Sequence, residues 1–382
     1  MPPRILSLAT IGVLVECLWV GAAALDDISW IRLPEGAMQP ELVRDRTGHL
    51  QAVWLSGPAG ASDVQVADLG TEGRLTTPPL RVNSQPGSAI AMGTIRGARM
   101  AVGSDGTLHL LWNGSGTATP RSAKSSPLLY SRKPPGAAGF EPQRNLMGST
   151  VDLDGGGDLV VDGRGTLHVF WHAGDGKSPT REDRRRVYES VSRDGGVTFE
   201  PEHPVDPGDG TGVCGCCGIR AAVDAGGNAF VLYRGARELV HRGTQLLESA
   251  SEGSGFQRRL LQEWTSGACP MSLPALNPGG TGIRFAWETG GEIWSQGRRD
   301  DAPTLRVPGP GARHPSLASN ALGESLLVWT EGTGWNRGGS LGWRIFDAQG
   351  KPTAAGGTRP DVPVWSFPAV ATRSDGTFVI AY

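Results

Sequence analysis

The sequence predicts an all-β chain closed into a ring of blades, a β-propeller. Three observations carry this. One hairpin unit recurs along the chain; glycine (57 of 382 residues) and proline (28) far exceed ordinary usage; and apolar runs rich in Trp, Val and Leu lie between the turns, which separates a turn-rich β protein from a low-complexity chain.

The first stretch reads as a leader. Residues 2–4 carry a positive charge, 5–24 are apolar apart from Glu16, and small residues at 21–24 precede the acidic Asp26 and Asp27. That is the order of a secretory signal peptide cleaved near Ala24, and Cys17 would leave with it. A membrane anchor would place Glu16 near mid-bilayer at a cost of a few kcal/mol, and a lipid-anchored start at Cys17 would have Glu16 where a small residue is expected. The expected organisation is therefore a signal peptide over 1–24 and a single propeller domain over 25–382. Localisation would be secreted or periplasmic, with no membrane association after cleavage. Basic and acidic residues balance (36 against 38) and are interspersed, which argues against a nucleic-acid partner, for which a clustered basic face is expected.

The repeat unit is a short apolar run, an Asp/Asn and Gly turn, and a second apolar run ending in an aromatic. The copies "PELVRDRTGHLQAVW", "RMAVGSDGTLHLLW", "DLVVDGRGTLHVFW", "RAAVDAGGNAFVLY", "LPALNPGGTGIRFAW", "HPSLASNALGESLLVW" and "FPAVATRSDGTFVIAY" end at Trp54, Trp112, Trp171, Tyr233, Trp287, Trp329 and Tyr382. Asp-Gly and Gly-Gly supply the positive φ of tight hairpin turns, and near-continuous apolar character implies strands buried on both faces. The repeat length, about 40–60 residues, is that of a four-stranded blade. Seven copies predict seven blades, with six as the alternative if one copy is an embellishment. "DISWIRL", residues 27–33, is expected to supply the outer strand that closes the ring. The inserts near 57–80 and 173–186 read as loops, and "GKSPTREDRRR" as a solvated charged tip.

"SRDGGVTF", residues 192–199, is more specific than the hairpins. Asp194 can accept backbone N–H bonds from residues just ahead of it, Gly195 and Gly196 permit positive φ, and Phe199 can fold between blades. With Ser192, Gly196 and Thr198 it matches the Asp-box of sialidase-like propellers, and its role is structural. Degenerate relatives follow Tyr130 ("YSRKPPGAAGFEP") and Glu248 ("ESASEGSGFQ"). In the order of its motifs, including C-x-C-C and A-C-P-M, the chain resembles a secreted bacterial group of sialidase-like, BNR-repeat propellers over about residues 39–330.

The resemblance implies a propeller and raises sialidase activity. Such enzymes clamp a carboxylate with three arginines and use a Tyr–Glu nucleophile pair and an Asp acid/base. Here the early Arg-Ile-Pro motif is absent, its near match "PRIL" lies in the leader, and the only late tyrosine is Tyr382. The expected function is therefore an exported propeller that binds a carbohydrate or protein at its mouth, without an intact sialidase catalytic set. The alternatives are an exo-sialidase or other glycoside hydrolase, and a soft-metal-binding or redox protein. No cofactor is expected, and the chain should be a monomer. Loops after each terminal aromatic should line the mouth; they offer His172, Asp175, Arg234, Arg237, Glu238, His241, Glu288, Glu331 and Trp335. Of these, Arg234, Arg237, Glu288, His172 and Trp335 are the ligand-binding candidates; solvated charges in local ion pairs are the competing reading.

"GVCGCCG", residues 212–218, gathers Cys214, Cys216 and Cys217 in the loop before the fourth repeat. Cys269 occupies the equivalent loop, "GACPMS", before the fifth. In an oxidising compartment two disulfides are the default, one of them tying Cys269 to Cys216 or Cys217. A second bridge inside 214–217 is geometrically awkward. The alternatives are a soft-metal site of Cys214, Cys216, Cys217, Cys269 and Met271, and a mixed case of one bridge beside a redox-active pair.

Overall fold

In the computed structural model, the described residues are 28–382 apart from 94, 122–125, 178, 180, 250–254, 280–281, 299–304 and 308–310. The leader (1–24) and Cys17 lie outside them, as does most of the degenerate box after Glu248. The described residues form seven sheets around a central axis, an all-β propeller. No helix among them is long and apolar enough to cross a membrane.

Each repeat is the inner hairpin of one blade. Met38–Arg44 pairs with Leu50–Ser56, Arg99–Val102 with Leu108–Asn113, and Asp158–Val161 with Leu167–Ala173. Arg220–Val223 pairs with Ala229–Ala236, Ala275–Asn277 with Arg284–Thr289, Ala312–Ser319 with Ser325–Glu331, and Ala369–Thr372 with Phe378–Ala381. The turns repeat one solution. Asp45, Asp162 and Asp224 each accept two backbone N–H bonds from residues two and four positions ahead, the local geometry that Asx turns favour.

The apolar core is a set of seams between consecutive blades. Leu110 and Trp112 pack with Val53, Leu55 and Val64 of the first blade, whereas Leu111 between them packs with Leu159 and Trp171 of the third. Alternate residues of a strand point to opposite faces, so a strand caught between two blades is apolar on both, with polar exceptions such as His109 that are hydrogen-bonded. The terminal aromatics from Trp54 to Trp329 are all buried.

The ring closes through the first described residues. Ile28–Ile31 lies parallel to the last strand, Phe378–Ala381, with Ile28 opposite Phe378 and Ile31 opposite Ala381. This fills an edge that would otherwise expose unpaired backbone.

Two inserts differ from their sequence reading. The segment near 57–80 contains a full strand, Asp63–Leu69, paired along its length with Leu50–Ser56. Its mixed sequence conceals the alternation in which Val64 and Val66 face the core. The charged tip is not wholly solvated: after a short 3-10 turn, Glu182–Arg184, Arg185 is buried, because it serves the site described next.

The Asp-box joins blades. Ser192 Oγ donates to Asp194 Oδ1 (2.8 Å) and accepts from the Gly196 N–H (2.8 Å), while the Thr198 N–H and hydroxyl donate to Asp194 (2.9 and 2.6 Å). Those bonds hold the Asp194 carboxyl well below the usual carboxylate range. Phe199 meets Tyr130 of the preceding blade edge-on at 5.0 Å. Gly196, at φ +79°, sits so close to Tyr130 Oη that a Cβ would collide with it.

Candidate functional site

Hairpin turns and the Asp-box turn share one face, because Leu167 at the start of the second strand pairs with Ser192 at the end of the third. Loops entering the inner strands, and loops leaving the second strands, therefore share the other face. The cysteine loop lies there.

Cys216 is joined to Cys269 across two neighbouring blades, and Cys214 and Cys217 are buried free thiols. One of the two expected bridges is thus formed. A second would have to close within a tight turn, in which the Cys217 N–H already donates to the Cys214 carbonyl (3.3 Å). The sulfurs of Cys214, Cys216 and Cys217 lie within 4.8 Å of one another, and Cys214 Sγ is 3.6 Å from Cys216 Sγ. The Ser272 N–H points at Cys217 Sγ (3.5 Å). Burial opposes ionisation of Cys217, but the Cys214 thiol, Arg234 and that N–H outweigh it and lower its pKa. Cys214, donating to Cys217 and buried, is pushed up.

A buried polar scaffold fixes this loop. His172 Nε2 donates to the Cys217 carbonyl (2.8 Å), and Nδ1 accepts from Arg185 Nε (3.2 Å). Burial, with Arg185 alongside, lowers His172 to about 3, so the ring is neutral. The Gly215 N–H donates to Glu182 Oε1 (3.0 Å), and Glu182 Oε2 pairs with Arg242 Nη1 at 2.7 Å. The Gly155 N–H donates to the Gly215 carbonyl (2.8 Å), and the Gly218 N–H to the Ser272 carbonyl (3.0 Å).

Among the ligand-binding candidates, three are turned inward. His172 is consumed as above. Arg234 is buried, donates to the carbonyls of Arg242 and Glu288, and lies 4.9 Å above the Trp264 ring. Its ion-pair partner is Glu288, at 3.8 Å, whose other oxygen accepts the Gly291 N–H. The physical reason is burial: a charged group nearly removed from water must be paired. Arg237 and Trp335 remain exposed. Glu238, with φ +53°, and Leu239 form the tip of a tight turn beside Arg237, and His241 bridges Glu238 and Glu263 (3.5 and 3.3 Å). Glu331 accepts the Trp329 indole N–H at 2.8 Å, and Asp175 is exposed. Met271, at φ +46°, is half-buried between Cys269 and Ser272.

The axis holds groups that sequence reasoning missed. Glu41, Arg99, Asp158 and Arg220 come from four successive inner strands. Arg220 pairs with Glu41 (2.8 Å) and Asp158 (3.4 Å), and Arg99 approaches Glu41 (3.7 Å). Glu41 also accepts the Met100 N–H (2.9 Å), and Asp158 the Ala221 N–H (2.8 Å). Burial, with Arg220 nearby, lowers Arg99 to about 10. The remaining space is a cavity of about 60 Å³, shared with Pro274, Pro315 and Pro368. On the loop face, Ile95, Leu273 and Phe367 from three loops pack into one buried cluster.

Trp335 lies over this axis. It belongs to the sixth blade, yet its ring reaches Gly93, in the loop before the second blade, where a Cβ would stand 3.5 Å from the indole. The ring is 54% exposed. Beside Gly93, Arg96 donates to the Asp154 carbonyl (2.8 Å) and pairs with its carboxylate. Gly93 thus has the open indole on one side and Arg96, paired with Asp154, on the other.

No family model matches the chain, and no curated protein matches it. Solved structures do. A protein of unknown function from Dyadobacter fermentans is 12% identical, with a TM-score of 0.52 over 90% of each chain. An α-L-arabinanase from Penicillium chrysogenum, complexed with arabinobiose, is 15% identical over 83% of this chain and 95% of its own, with a TM-score of 0.53. An ulvan lyase from a polysaccharide lyase family is 12% identical over 88% and 87%, also with a TM-score of 0.53. What this chain shares with these proteins, two of them named for action on carbohydrates, is the β-propeller fold.

Proposed function

We propose that this chain is an exported, sialidase-like propeller that binds a carbohydrate at the centre of its loop face without cleaving it. The observation that carries the reading is Trp335, more than half exposed on the axis against Gly93. An open indole offers a sugar ring an apolar face, and the Asp154 carboxylate, partly exposed and held by Arg96, which is itself engaged by the Met92 and Asp154 carbonyls, offers hydrogen-bond acceptors. The inward pairing of Arg234 with Glu288 and of His172 with Arg185 leaves these groups engaged in holding loops. Export is supported by the leader-like residues 1–24 and by a disulfide, which persists in oxidising compartments.

The test is a glycan array probed with the purified protein, followed by titration of the best neutral and acidic oligosaccharides while tryptophan fluorescence is read. Saturable binding weakened at least tenfold in Trp335→Ala is the expected result. Two results would refute it: binding unchanged by the substitution, or turnover of a fluorogenic sialoside or arabinoside by the wild type. Capture of a protein ligand through the same face, with no glycan bound, would shift the reading to a protein-binding module.

A further inference from the structure

We propose that the buried Cys214–Gly215–Cys216–Cys217 turn is a Cu(I) site in which Cys214 and Cys217 are the ligands, next to an intact Cys216–Cys269 disulfide. The two thiols sit in C-x-x-C spacing, and their sulfurs fall within one 4.8 Å cluster with that of Cys216. The donors are soft. The nitrogen donor nearest the loop, His172, is committed at both ring atoms, to the Cys217 carbonyl and to Arg185. With Cys216 and Cys269 bonded to each other, two thiolates remain. Tetrahedral zinc asks for four ligands, whereas soft thiolates select Cu(I), which is satisfied at low coordination number.

The surroundings suit the charge produced. Binding one Cu(I) displaces one proton from each thiol and leaves a bis-thiolate complex of net charge −1, with no change in oxidation state. Arg234 and Arg242 stand near the two sulfurs, each already paired with a carboxylate, Glu288 and Glu182, and the Ser272 N–H at 3.5 Å from Cys217 Sγ is a ready outer-sphere donor. Met271, preceding Ser272, places a further soft donor in the adjoining loop. Cys269 is exposed and Cys216 half-buried, so the loop opens to solvent on that side.

The experiment uses the full exported chain, purified without reductant under anaerobic conditions and titrated with Cu(I) against a bathocuproine chelator. The expected result is one equivalent of Cu(I) held against the chelator, release of two protons per copper, and an X-ray absorption spectrum with a sulfur-only shell. Cys214→Ser and Cys217→Ser should each lose the competition, and the Cys216→Ser/Cys269→Ser double variant should keep it. Should a variant fail to fold by circular dichroism, proton release and the sulfur shell of the wild type still decide. Copper left with the chelator would overturn the proposal. So would metal bound only after reduction with all four cysteines required, the signature of tetrathiolate zinc. The outcome is independent of whether Trp335 binds a sugar.

Discussion

Acidification from pH 7 to pH 5 should destabilise this propeller far more than a surface-charged protein. Three buried histidines carry the effect. His109, hydrogen-bonded to Tyr130 at 2.7 Å, is lowered to about 4, chiefly by burial. His172 and His314 are each lowered to about 3, by burial and then by a neighbouring arginine. In the unfolded chain each would titrate near about 6.5. Folded values below unfolded ones mean that the unfolded state binds more protons, so stability is lost as pH falls through about 6.5 and continues to fall toward the folded values. At pH 5 each histidine accounts for about 2 kcal/mol, or about 6 kcal/mol for the three, against a total stability of about 5–15 kcal/mol. The depressed carboxylates titrate lower still, whereas Asp158, raised by burial, takes up its proton more readily in the folded state and offsets part of the loss, so the net destabilisation from pH 6.5 to 5 is carried by these histidines. Urea denaturation followed by tryptophan fluorescence at half-unit pH steps should show a slope of roughly three protons, about 4 kcal/mol per pH unit below pH 6. His109→Gln, which can keep a bond to Tyr130, should reduce the slope to two. A slope below one proton in the wild type would refute the claim that these rings are held neutral by burial.

Further outcomes follow from the same structure. Ile31→Ala removes a buried side chain from the closing strand and should cost about 2–5 kcal/mol in chemical denaturation; a loss under 1 kcal/mol would mean that the strand is not docked. Glu41→Ala leaves Arg99 and Arg220 facing each other with one carboxylate between them and should cost about 3–5 kcal/mol, as removal of one partner from a buried ion pair does. Glu41→Gln, which still accepts the Met100 N–H, should cost less. Gly155→Ala would drive a Cβ into the Cys217 carbonyl and His172. It should speed iodoacetamide labelling of Cys214 and Cys217 in native protein, and unchanged labelling would show that Gly155 does not hold the cysteine loop shut.

Much of the fold is local and was therefore legible. A turn such as 45–49 is specified by its own Asp and Gly, and a strand such as Ser325–Glu331, buried on both faces, announces itself by the apolar run Leu326–Trp329. The strand Asp63–Leu69 escaped because its polar residues face outward and interrupt the apolar run. The site was less legible. Arg234 and Glu288 were visible as polar residues after an aromatic, but whether a polar group faces water or a neighbouring blade is decided by residues more than 50 positions away. The same holds for Cys269, whose choice between Cys216 and Cys217 depends on how two loops meet.

The axial charges are different, because the sequence did hold their signal. Glu41, Arg99, Asp158 and Arg220 each stand four residues before the first residue of their hairpin turn, at Asp45, Gly103, Asp162 and Asp224. Equivalent positions of a repeat meet at the axis once the repeats close into a ring. Charges that converge in a buried space must cancel, since unpaired ones would each cost several kcal/mol. Along the chain the signs run minus, plus, minus, plus, and the other side of the axis is lined by Pro274, Pro315 and Pro368. Read residue by residue, each charge is an ordinary polar start to a strand. Read down the repeats, charges of alternating sign at one repeat position imply a closed ring with a neutral, ion-paired centre. On the reading proposed above, a centre closed in this way leaves ligand recognition to the loops above it, where Trp335 lies.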